Sequence, residues 1–246
     1  MHEHSIAPSI LAADLARLGA EVAEVAPVVP SIHVDVMDGH YVPNLSLGHP
    51  VLASLRRATD RWLDCHLMIT DPATYAPQLV TLGADSVTFH PEVEDDPANL
   101  VDRLHEQGAQ VGVAIKPAHP LSMVTELLPA VDLLLVMSVE PGFGGQAFLE
   151  DTMGKVAEAA AWRSTHRQRF RIQVDGGIAP DTITAAARAG AEVFVAGSSV
   201  FGATDRQAAV LTLLERAAMA ARGAGSDTGP ATTGPASTRP ASTGGA

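Results

Sequence analysis

One cysteine, two lysines, two tryptophans and two tyrosines are all that 246 residues hold of those types, and each scarcity closes off a chemistry. With Cys65 alone, no internal disulfide and no thiolate zinc site can form, so any metal must be held by His, Asp or Glu. Lys116 and Lys155 are the only lysines, and 16 basic against 28 acidic side chains leave a net charge of −12. No basic cluster exists to meet the phosphates of a nucleic acid or an anionic membrane, so neither is expected as a partner. No apolar run approaches the roughly 20 residues that cross a bilayer, and Met1-His2-Glu3-His4 lacks the basic and apolar regions of a signal peptide. A cytoplasmic protein is the expectation.

Residues 223–246 contain only Gly, Ala, Ser, Thr and Pro apart from Asp227 and Arg239. Such a composition cannot bury enough apolar surface to offset its own ordering entropy, which predicts a disordered tail behind one domain, residues 1–222. Within that domain, short β-branched or Leu-rich runs alternate with Ala/Leu/Glu stretches of helical period, the signature of a parallel sheet with crossover helices. Strands are predicted over Ile6–Leu11, Ser31–Met37, Trp62–Ile69, Ser86–His90, Gln110–Ile115, Leu133–Met137, Arg171–Val174 and Val193–Ala196. Helices are predicted over Ala12–Val25, Pro72–Leu82, Pro97–Glu106, Leu121–Leu128, Thr152–Thr165, Pro180–Ala189 and Gln207–Arg222. About 28 residues per strand-and-helix unit matches an α/β fold of the (β/α)8 TIM-barrel type. A doubly wound sheet would open with a G-x-G-x-x-G turn, which is missing.

In such a barrel, inward side chains near the carboxyl ends of the strands form the site. Period two puts His33, Asp35 and Met37 on one face of the second strand and Asp64, His66 and Met68 on one face of the third, with Cys65 turned to the helices. Asp175 ends the seventh strand. Taken singly, an inward His or Asp is more often a hydrogen-bonded core residue than a ligand. Two imidazoles and two carboxylates converging on one mouth would repel and desolvate themselves without a cation, so His33, Asp35, His66 and Asp175 suit one divalent metal such as Zn²⁺, Fe²⁺, Co²⁺ or Mn²⁺. Lys155 reads as a solvated helix residue, Lys116 as a loop lysine, His90 as a strand-end hydrogen-bonding residue and Asp38 as a turn residue.

Three glycine loops follow strands six, seven and eight: Gly142-Phe143-Gly144-Gly145, Gly176-Gly177 and Gly197-Ser198. Glycines let backbone N–H groups approach an anion, and the loops after strands seven and eight with a short helix N-terminus are the usual barrel phosphate site. A small phosphorylated substrate is therefore expected, held without a Lys/Arg cluster.

The segments His33-Val34-Asp35-Val36-Met37-Asp38-Gly39, Cys65-His66-Leu67-Met68, Pro141-Gly142-Phe143-Gly144-Gly145-Gln146 and Val174-Asp175-Gly176-Gly177 resemble the ribulose-phosphate 3-epimerase family, from Ala7-Pro8-Ser9-Ile10-Leu11 to about Phe201. The resemblance implies interconversion of D-ribulose 5-phosphate and D-xylulose 5-phosphate in the pentose phosphate pathway, by a homo-oligomeric isomerase. It implies that His33, Asp35, His66 and Asp175 bind the metal, that Asp35 and Asp175 are the acid/base pair, and that Ser9 and His66 contact the phosphorylated ketose. Epimerisation at C3 needs a proton removed beside a carbonyl and returned to the opposite face, which two carboxylates can do through a 2,3-enediolate. Met37, Met68 and Met137 would cap that intermediate with uncharged sulfur. Three rivals are an allulose-6-phosphate 3-epimerase, a Schiff-base aldolase using Lys116, and a phosphate-sensing barrel without turnover. The first tends to lose glycines that are complete here, and the last leaves the paired carboxylates without a role.

Overall fold

The structure is a computed structural model and describes residues 4–226. Eight parallel strands form one sheet: β1 (Ser5–Pro8), β2 (Ser31–Met37), β3 (Trp62–Met68), β4 (Ser86–Phe89), β5 (Gln110–Ile115), β6 (Leu133–Met137), β7 (Arg171–Asp175) and β8 (Val193–Ala196). They pair in the order β1-β8-β7-β6-β5-β4-β3-β2. A single parallel bridge between Ser9 and His33 joins β1 to β2 and closes the barrel beside the expected metal ligands. Around it lie α1 (Leu18–Val25), α2 (His49–Ala58), α3 (Pro72–Thr81), α4 (Pro97–Glu106), α5 (Met153–Thr165), α6 (Ile183–Ala189), α7 (Ser198–Phe201) and α8 (Arg206–Ser226).

The alternation read along the strands sorts the side chains into two cores. Ile32, Val34, Cys65, Leu67, Val111, Val113, Ile172 and Val174 point outward into one continuous apolar layer with the helices, as expected for strands covered on their outer face. Inside, small apolar clusters such as Ala114, Leu135 and Met137 share the barrel with buried Asp64, Thr88 and Gln173. Asp71 and Asp96 cap α3 and α4 by accepting from Thr74 N and Asn99 N, each followed by a proline at the first helical position. At the seam, Arg206 at the start of α8 pairs with Glu21 (2.9 Å) and Glu24 (2.7 Å) of α1 and binds the last unit to the first.

Several expectations change. β1 ends at Pro8, where a ring nitrogen cannot donate to a ladder, and the predicted helix from Ala12 begins only at Leu18. Two 3-10 turns precede it, capped by the side chains of Ser9 and Asp14. No α-helix forms over Leu121–Leu128: a 3-10 turn (Leu121–Met123) and further turns bury Leu121, Val124 and Leu128 instead. Pro120 and Pro129 bound the segment, Pro129 disfavouring helical backbone at Leu128, and β-branched Val124-Thr125 sit at its centre. A helix absent from the sequence reading, α2, fills the place after β2. Finally, α8 continues to Ser226, past the expected domain boundary at 222. Residues 227–246, most of the predicted tail, lie outside the described residues. Among the described residues, no helix is long and apolar enough to cross a membrane.

Candidate active site

Period two on β2, β3 and β7 delivers His33, Asp35, His66 and Asp175 to one point, with one donor atom from each within 4.8 Å of the others. The shortest separations are His66 Nδ1 to Asp35 Oδ1 at 3.3 Å, His33 Nε2 to Asp35 Oδ1 at 3.4 Å, His66 Nδ1 to Asp175 Oδ2 at 3.7 Å and His33 Nε2 to Asp175 Oδ2 at 3.9 Å. Four donors about 2.1 Å from one tetrahedral cation would stand about 3.4 Å apart, which these spacings approach. His33 Nε2 is buried with no hydrogen-bond partner. An orphaned imidazole nitrogen facing two carboxylates is the arrangement a metal ligand needs.

Each candidate ligand is braced from behind. Ser9 Oγ donates to Asp35 Oδ2 at 2.6 Å, and Ser46 Oγ donates to the Asp35 carbonyl at 2.6 Å while accepting from Met37 N. Ser138 Oγ donates to the carbonyls of Asp175 (3.0 Å) and Gly176 (2.7 Å), which fixes the end of β7. Asp64 Oδ2 sits 2.8 Å from His33 Nδ1. His90 Nε2 sits 3.0 Å from His66 Nε2, so the residue read as a strand-end hydrogen-bonding histidine lies against a candidate ligand. Asp64, Ser46 and Ser138 were not assigned roles from sequence; the signal was present only for Asp64, whose inward phase matches that of His66.

The two acid/base candidates are driven in opposite directions. Burial works against the charged form of Asp35, yet His33 and His66 beside it hold it well below the usual carboxylate range. Burial, and next the Asp35 carboxylate, push Asp175 up to about 6. For His33, the two carboxylates on either side overcome burial and raise it well above its ordinary value. A pair of titratable groups whose surroundings separate them is the pattern of an acid and a base.

Over this cluster opens a cavity of about 460 Å³, lined by Ser9, Asp35, Met37, Met68, Met137, Asp175, Gly142 to Gly145, Gly176, Gly177, Gly197 and Ser198. Every residue expected at the substrate is thus brought to one wall or another, with one exception. His66 is fully buried beneath the cavity and not part of its lining, so it reaches the site only through the metal cluster. Among the described residues, no Lys or Arg lines the cavity. The glycine loops are tightly built: at Gly176 (φ +120°) a Cβ would fall 2.6 Å from Val139, and at Gly177 (φ +62°) 2.7 Å from the backbone of Phe148. Both positions demand glycine for backbone shape as well as for access.

Lys116 and Lys155 are elsewhere. Lys116 Nζ is 3.2 Å from Glu92 and sits over the Tyr41 ring, paired rather than poised as a nucleophile. Lys155, expected in solvent, donates to the carbonyls of Lys116 (2.7 Å) and Pro117 (3.1 Å) and ties α5 to the loop after β5. Asp38 does cap its turn, accepting from His40 N and Tyr41 N, and also binds Thr70 of the next loop.

Residues 5–201 match the model of the ribulose-phosphate 3 epimerase family. The chain belongs to that family. It is 50% identical over 212 residues to a ribulose-phosphate 3-epimerase of Mycobacterium leprae, covering 86% of this chain and 94% of the relative. It is 46% identical over 205 residues to the cytoplasmic isoform of Oryza sativa, covering 81% and 88%. Among solved structures, KGPDC from Streptococcus mutans superposes with a TM-score of 0.67 at 15% identity over 89% of this chain and 99% of that one, a likeness of barrel fold alone. Family membership makes the chain an epimerase, an isomerase acting on a phosphorylated sugar, and neither the aldolase nor the sensing reading survives it.

Proposed function

We propose that this epimerase interconverts D-ribulose 5-phosphate and D-xylulose 5-phosphate, with Asp35 and Asp175 exchanging the C3 proton from the two faces of the sugar. The observation that carries the assignment is that both carboxylates line one cavity, on strands β2 and β7, while sharing the same two histidines. In one direction Asp35 accepts the proton from C3 and the protonated carboxyl of Asp175 returns one to the opposite face. The reverse reaction exchanges the roles. His33, Asp35, His66 and Asp175 would hold one divalent cation, Zn²⁺, Fe²⁺, Co²⁺ or Mn²⁺, which when bound supplies positive charge against the negative charge that develops on the sugar oxygens.

The remaining residues shape the cavity. Met37, Met68 and Met137 present thioethers to the reacting carbons, excluding water without adding charge. Ser9 holds Asp35 and faces the substrate, and backbone N–H groups of Gly142 to Gly145, Gly176, Gly177, Gly197 and Ser198 receive the phosphate. A cytoplasmic homo-oligomer completes the reading; the rice relative's printed name, a cytoplasmic isoform, supports the location.

The test is turnover in heavy water with added divalent metal. Conversion of D-ribulose 5-phosphate to D-xylulose 5-phosphate with deuterium appearing at C3 is expected. Conversion without exchange at C3 would exclude proton transfer to solvent-accessible carboxylates, and faster turnover of D-allulose 6-phosphate would move the substrate to the six-carbon ketose.

A further inference from the structure

Two imidazole nitrogens 3.0 Å apart can share only one proton, and the His66–His90 contact is such a pair. The rings are fully buried, tilted by 36° with centroids 5.1 Å apart, and meet Nε2 to Nε2. His66 Nδ1, on the other edge, faces Asp35 Oδ1 at 3.3 Å and Asp175 Oδ2 at 3.7 Å. His90 Nδ1 is buried without a hydrogen bond, and the carboxylate nearest to it is Glu92, 3.7 Å away. Glu92 in turn cannot drift: its Oε1 accepts from Tyr41 Oη at 2.8 Å, pairs with Lys116 Nζ at 3.2 Å and lies 3.8 Å from His119 Nδ1.

We infer that His90, backed by Glu92, is a positioning residue that selects the tautomer of His66 and so aims its Nδ1 lone pair at the metal centre. The inference rests on the metal reading above. A neutral imidazole that ligates through Nδ1 carries its proton on Nε2. Here that proton has one buried acceptor within reach, His90 Nε2, so the His90 proton must sit on Nδ1, on the side of Glu92. The opposite arrangement places a proton on His66 Nδ1, where it is bonded to Asp35 and blocks a cation. The anionic Glu92 favours the first arrangement because it attracts the N–H of His90 and would repel its lone pair. His66 is thus held from behind by a histidine and a clamped carboxylate, in a line running from the metal cluster to the loops after β2, β4 and β5.

Zn²⁺ affinity of the metal-stripped protein, measured by competition with a chromophoric chelator, tests this without recourse to activity. His90→Phe fills the volume but offers no acceptor, and should weaken Zn²⁺ binding about 10- to 100-fold. His90→Gln can place an amide oxygen near the position of Nε2 and should restore most of that loss. Long-range proton–nitrogen NMR on the Zn²⁺-loaded parent protein should show the protons on His66 Nε2 and His90 Nδ1, a reading that needs no variant to fold. Equal Zn²⁺ affinity in the parent and His90→Phe, no rescue by Gln, or a proton on His90 Nε2 in the loaded protein would each overturn the inference while leaving the metal centre standing. Failure of the parent protein to bind Zn²⁺ at all would bring down the metal centre and this inference with it.

Discussion

Asp64 Oδ2 lies 2.8 Å from His33 Nδ1 and also accepts from Gln173 Nε2 at 2.7 Å, while Asp64 Oδ1 accepts from Ser86 Oγ at 2.9 Å. A carboxylate so held fixes the proton of His33 on Nδ1 and leaves Nε2, the atom without a partner, free to ligate. Asp64→Asn keeps the volume and removes the charge. It should lower divalent-metal affinity about 10- to 100-fold, read by equilibrium dialysis, with turnover largely recovered at saturating metal. Unchanged affinity would mean that Asp64 serves only the barrel interior.

Asp35 and Asp175 stand apart from Asp64 because they line the cavity. Asp35→Asn and Asp175→Asn should each reduce kcat about 10²-fold or more at saturating metal, the scale of a positioned proton-transfer group. Because both are also proposed ligands, metal content must be measured on the same samples. Near-normal turnover by either variant with metal bound would remove that residue from the proton-transfer pair.

Asp175 also sets a pH dependence. Its carboxyl is raised from 3.8 to about 6 by burial and by the neighbouring Asp35 carboxylate. Between those values the folded, metal-stripped protein binds a proton that the unfolded chain has already released, so raising the pH through about 6 costs stability. Asp175→Asn removes that cost. The metal-stripped variant should therefore melt above the metal-stripped parent at pH 7, and the gap should close toward pH 4. Metal and proton compete for the same oxygens, so metal affinity of the parent should fall as the pH drops below about 6. A difference in melting temperature that is independent of pH would contradict the raised carboxyl.

The barrel was readable because short β-branched or Leu-rich runs recur between helical stretches, so that β2, β5, β6 and β8 fall where the pattern places them, and on β2 Ile32, Val34 and Val36 against His33, Asp35 and Met37 leave one assignment of faces. The same phase exposed the four candidate ligand positions, since a polar side chain on an inward face is an anomaly that local pattern reveals. What escaped is set by tertiary contact. His90 and Glu92 follow β4 with no periodic signal, and their meeting with His66, Tyr41 and Lys116 depends on three loops that only the closed barrel brings together. The segment from Leu121 to Leu128 misled for a related reason: apolar residues spaced by three or four fit a helix and a run of 3-10 turns alike, and the flanking prolines decided between them.

Among the described residues no Lys or Arg lines the cavity and Glu140 does, which favours the proposal that backbone N–H groups in the glycine loops recognise the phosphate. Gly177 is a poor place to test this, because a Cβ there would strike the Phe148 backbone and deform the loop whatever the ligand. Gly144 is better: it lines the cavity, and an added Cβ meets nothing within 4 Å, so a side chain can be introduced without displacing the fold. Hydrogen bonds to a charged group contribute about 1.5–3 kcal/mol each, so Gly144→Val, by obstructing close approach, should raise KM for the phosphorylated ketose about tenfold or more while leaving metal content intact. Catalytic efficiency on the unphosphorylated ketose should be nearly unchanged. Lys116→Met, which removes a cation that faces Glu92 rather than the cavity, should leave the KM preference for phosphate in place. The opposite pattern, phosphate preference lost with Lys116→Met and kept with Gly144→Val, would replace the backbone cradle with a side-chain anion site.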